Sequence, residues 1–80
     1  MRDLIIEKIK MHVISKNGSY QFKNEPGFVS LDIREGEMML SYINTARTCK
    51  TVNLEHVINP TILYIWEYMI KQEIKENLVQ

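Results

Sequence analysis

The chain is poor in the residues that staple or punctuate a fold. Of its 80 residues, 1 is cysteine, 2 are proline and 3 are glycine. A lone Cys49 allows no internal disulfide, so nothing covalent substitutes for a packed core. With no secretory leader expected, a reducing cytoplasm is the predicted setting. Neither sign of charge is in excess, with 10 Lys and Arg against 10 Asp and Glu. That balance argues against a mimic of DNA, which needs an acidic surplus. It also removes the general basic surplus that drives phosphate binding. Long apolar runs are missing too. Leu4, Ile5 and Ile6 are broken off by Glu7, Lys8 and Lys10, far short of the roughly 18 apolar residues of a membrane span. No membrane association is expected.

Motifs that carry chemistry are equally scarce. Zinc needs about four ligands in paired spacing, and Cys49, His12 and His56 are isolated from one another. A Cys49 thiolate activated by His56 needs a hydrogen bond between them and a neighbouring cation. Arg47 and Lys50 lie nearby, but a strand sets Cys49 and Lys50 on opposite faces. Glu35 and Glu37 flank Gly36 in a turn, where carboxylates stay solvated rather than shifted for acid–base work. Gly18, Gly27 and Gly36 form no phosphate-cradling motif. The predicted reading is a protein without catalytic residues, cofactor or metal.

What remains is the pattern of a small globular domain. Hydrophobic residues make up 45% and charged residues 25%, and residues 1–80 are read as one compact domain. Ile5, Ile6, Ile9 and Val13 share one helical face, which predicts a helix over residues 2–16. Asp3 is its expected cap, and Asn17-Gly18 its expected left-handed end. The rival is a strand over residues 9–16 with Asn17-Gly18 as a hairpin turn. Leu4 to Glu7 continue no alternation, which favours the helix.

Tyr20, Gln21 and Phe22 make a short strand before a turn at Asn24-Glu25-Pro26-Gly27. The clearest signal follows. Val29, Leu31 and Ile33 alternate with polar residues, and so do Met38, Leu40 and Tyr42. A turn at Glu35-Gly36 pairs Ile33 with Met38, Leu31 with Leu40 and Val29 with Tyr42. A further strand spans residues 48–54. Asn59 and Pro60 open a long helix to about residue 77. Ile62, Leu63, Ile65, Trp66, Met69, Ile70 and Ile74 cover nearly half its circumference. Tyr64, Glu67, Tyr68, Lys71 and Lys75 take the other side, with Glu67 and Lys71 spaced to pair. The predicted fold class is α+β: an N-terminal helix, a three- to four-stranded antiparallel meander and a long C-terminal helix, with both helices on one sheet face.

The apolar arc of the last helix is broader than packing on a small sheet requires. Tyr64 and Tyr68 lie one turn apart on its polar side, and tyrosine is enriched in interfaces. These features predict a protein partner or a homodimer engaging Tyr64, Trp66, Tyr68, Met69, Lys71 and Lys75. The alternative is a regulator that binds nucleic acid through a local patch of Arg34, Arg47 and Lys50.

No diagnostic motif places the chain in a family. Its order of elements, size and Ile-, Lys- and Asn-rich composition resemble those of small accessory proteins of bacteriophages and mobile elements. Some of those bind and inhibit host enzymes or defence complexes. The resemblance implies a host-factor inhibitor working through shape and apolar contact, since acidic mimicry is excluded.

Overall fold

The computed structural model describes residues 1–79. A helix α1 (Arg2–Ser15) leads into strands β1 (Ser19–Gln21), β2 (Phe28–Arg34), β3 (Glu37–Ile43) and β4 (Cys49–Asn53). A 3-10 turn (Leu54–His56) then connects to helix α2 (Asn59–Val79). The strands form one open antiparallel sheet in the order β1-β2-β3-β4, which is the α+β meander that the sequence predicts.

Residues 9–16 are not a strand, because α1 runs through them and is closed by its own backbone. Asn17 N–H donates to the Ile14 carbonyl at 3.0 Å, and Gly18 N–H to the Val13 carbonyl at 2.9 Å. With Asn17 at φ 66°, these are the paired bonds of a Schellman ending. The start differs from expectation. Met1 is the capping residue and no side chain caps the helix. Asp3 lies inside the first turn, where its carboxylate opposes the positive end of the helix dipole.

In the sheet, Ile33 pairs with Met38 and Leu31 with Leu40, as the alternation predicts, and Val52 extends the row from β4. Val29 does not pair with Tyr42. A bulge between Phe28 and Ser30 brings Phe28 opposite Tyr42 instead. An extra residue puts the alternation one step out, so Phe28 turns onto the face that carries Leu31. The β2–β3 connection uses Glu35 and Gly36 at φ 52° and 80°, the two positive values of a type I′ turn.

Both helices cover the same face. Ile6, Ile9 and Val13 of α1 join Ile62, Ile65 and Met69 of α2 in one cluster with Leu31, Met38, Leu40 and Leu54. Thr61 and Ile62 N–H both donate to the Ile58 carbonyl at 3.1 Å. Asn59, the expected cap, is therefore already within α2, and Pro60 falls in the first turn, where a missing N–H costs nothing. The helices run in the same direction. Arg2 reaches the carbonyls of Glu55 and Val57 just before α2 begins. Farther along, Lys16 meets Glu73 at 3.8 Å.

Candidate functional site

Tyr64 is exposed at 41% and Tyr68 is half-buried, and both also make contacts within the fold. The loop between β1 and β2 rises along the flank of α2 and meets both of them. Tyr64 stacks on Phe28 with ring centroids 5.7 Å apart, and its hydroxyl donates to the Glu25 carboxylate. Tyr68 packs 5.5 Å from Phe22 and donates to the Lys23 carbonyl. Burial, then the Glu25 carboxylate, pushes the Tyr68 phenol above its ordinary value, partly opposed by the hydrogen bond to Lys23. Tyr20 lies deeper between the sheet and α2, and its phenol is pushed up to about 12. Burial is the main cause, followed by Tyr68, Glu76 and Glu73.

The other candidates on α2 separate by burial. Met69 has no exposed surface and belongs to the core, so it offers a partner nothing. Trp66 is half-buried, and Lys71 and Lys75 are exposed. Glu67 and Lys71 form no ion pair among the described residues. The observed pairs of α2 cross to other elements: Glu73 with His12 and Lys16, and Glu76 with Lys23. His12 is half-buried in the seam between the helices. Its ring is edge-on to Trp66, 6.4 Å away, and to Tyr20, 5.7 Å away.

The outward side of the helix pair is where apolar surface collects. At 100° per residue, Leu4 and Met11 of α1 point away from the buried Ile6, Ile9 and Val13. Leu63, Ile70 and Ile74 of α2 lie on its α1-facing side, away from the sheet. All five are exposed, from Ile70 at 37% to Met11 at 69%. His12, Trp66, Ile70, Glu73 and Ile74 line a small groove of about 160 Å³ along the seam. Leu63 and Ile70 were legible as part of the broad arc of α2. Leu4 and Met11, seven residues apart, carried a similar signal on α1.

The opposite face of the sheet is uncovered and polar. Asp32 accepts from Ser19 at 2.9 Å and from Ser30 at 3.0 Å, and Arg34 approaches it at 3.7 Å. Ser41 and Thr51 bond to each other at 3.2 Å. The three basic residues of the nucleic-acid alternative are not brought together. Arg34 ends β2 beside the β2–β3 turn, whereas Arg47 lies in the β3–β4 turn at the far end of the sheet. Lys50 pairs with Tyr42 and shares its helix-side face. Cys49 is exposed on the polar face, and His56 is exposed in the 3-10 turn.

Where β3 and β4 pass the start of α2, a groove of about 970 Å³ opens, lined in part by Phe28, Tyr42, Val52, Val57 and Thr61. Its polar lining includes Glu37, Glu55 and His56. Among the described residues, no three His, Cys, Asp or Glu side chains are placed to hold a metal ion. No helix among them is long and apolar enough to cross a membrane. No protein-family model matches the chain, and neither do any curated protein or solved structure.

Proposed function

We propose that this protein is a non-enzymatic binding module that docks another protein on the outward face of its helix pair. The observation that carries the reading is apolar surface left open on the helix pair: Ile70 and Ile74 line a groove with the half-buried Trp66, and Leu63, Leu4 and Met11 are exposed on the same two helices. A partly buried tryptophan beside aliphatic side chains is the composition of an interface centre. The occupant proposed for this face is an amphipathic helix of a partner, with one apolar anchor entering the groove of about 160 Å³ beside Trp66. Action on a host protein by a phage or mobile-element accessory factor fits such a module and rests on composition alone. Leu63, Ile70 and Ile74 supply the contacts in this proposal in place of Tyr64 and Tyr68. Trp66 is kept, and Lys71 and Lys75 lie at the margin.

The test is a displayed library of amphipathic helical peptides selected on the wild-type protein. Selected peptides should lose binding to Ile70→Glu and to Leu63→Glu while both variants keep the wild-type circular dichroism spectrum. Equal binding to wild type and variants, or no selection at all, removes the proposal.

A further inference from the structure

β4 is the edge of the sheet that is both long and bare. Among the described residues it pairs with β3 alone, while the opposite edge, β1, is a strand of 3 residues. Edges that resist association carry proline, a bulge or several charges, and Cys49–Asn53 carries only Lys50. Hydrogen-bond parity identifies its free groups. The Asn44 N–H donates to the Thr48 carbonyl at 3.1 Å. Asn44 and Thr48 are thus a bonded pair, and in an antiparallel ladder bonded pairs recur at every second residue. Lys50 and Val52, opposite Tyr42 and Leu40, therefore direct their backbone groups to β3. Those of Cys49, Thr51 and Asn53 point off the sheet.

We propose that β4 is a self-association edge, where a second copy of this chain adds its own β4 antiparallel about a two-fold axis through Thr51. That register sets Cys49 opposite Asn53 of the second copy, and Thr51 opposite its counterpart. Every outward backbone group then meets another outward group. A slip of one residue sets outward groups against groups already bonded to β3. Cross-strand threonines are favourable neighbours, and Lys50 faces Val52 rather than another lysine. Just beyond the strand ends, the same register brings Arg47 towards Glu55 of the second copy, once on each side of the axis. Arg47 is exposed, and the Glu55 side chain, 3.6 Å from Lys10, keeps 61% of its surface open. Backbone parity admits registers two residues apart, and charge complementarity favours this one among them. The axis stands perpendicular to the sheet, so both helix layers lie on the same side of the joined sheet. This contact is independent of docking on the helix pair.

Sedimentation equilibrium of the full chain tests it. The wild type should be a dimer. Glu55→Arg or Arg47→Glu alone should raise the dissociation constant roughly tenfold, since two surface ion pairs are lost and replaced by like charges. The double exchange should restore it. Thr51→Pro should be monomeric and folded, because it removes an N–H that the monomer leaves unused. If that variant unfolds, the charge exchange decides alone. A wild type that stays monomeric at its highest soluble concentration overturns the proposal. So does a dimer that ignores the charge exchange, or one that Ile70→Glu dissociates while Thr51→Pro does not.

Discussion

Tyr68 of α2 donates its phenolic hydrogen to the backbone carbonyl of Lys23, and so ties the long helix to the end of β1. The bond is exposed, so its net contribution is modest. Tyr68→Phe should lower stability by about 0.5–1 kcal/mol. Tyr68→Ala also removes the ring that packs on Phe22 and should cost roughly 2 kcal/mol or more, short of the full cost of a core aromatic. Urea unfolding of the two variants separates hydroxyl from ring.

Alkaline pH should loosen the same region. The Tyr20 phenol is pushed up to about 12 by burial, against about 10 in an unfolded chain. Below pH ~10 both states hold the proton and stability is intact. Between about pH 10 and 12 the unfolded chain gives up the proton first, so stability falls as pH rises. Tyr68, raised in the same direction, adds to the fall. The urea midpoint should drop less for Tyr20→Phe than for wild type between about pH 9 and pH 11. Equal drops would show that Tyr20 ionisation is not coupled to folding.

The β2–β3 turn is strained at one position. Glu35 adopts φ 52° ahead of Gly36 at φ 80°, and a side chain other than Asn or Asp is disfavoured there. Glu35→Asn creates the preferred type I′ pair and should stabilise by about 0.5–1 kcal/mol. Gly36→Ala should destabilise by about 1 kcal/mol or more, because alanine opposes the positive φ. Thermal melts of both variants check the opposite signs.

The core has little margin. An 80-residue domain holds roughly 4–12 kcal/mol of stability in total. Ile9 has no exposed surface and belongs to the cluster shared by both helices and the sheet. Ile9→Ala should cost about 2–5 kcal/mol, a large share of that total. Met11→Ala, two residues along on the outward side, should change stability by less than about 0.5 kcal/mol. Paired urea titrations of the two variants test the assignment of faces.

The pattern of Leu31, Ile33, Met38 and Leu40 determined the central hairpin and its register. A period of two with one wet face permits no other pairing across Glu35-Gly36. Asn17-Gly18 marked a break in the chain there, but left-handed backbone suits a helix end and a hairpin turn alike, so the fold decided that residues 9–15 are helical. Tertiary structure decided the rest. The bulge that turns Phe28 inward serves contacts with Phe22 and Tyr64, partners distant in sequence, so no local pattern announces it. Tyr64 and Tyr68 read as solvent-facing on a helical wheel. A wheel contains only one helix, and the loop that covers their flank comes from residues 23–28. The separation of Arg34 from Arg47 was likewise set by packing. Periodicity shows which side of each element is apolar. Which apolar sides meet depends on contacts between residues far apart in the chain, and those exist only once the chain has folded.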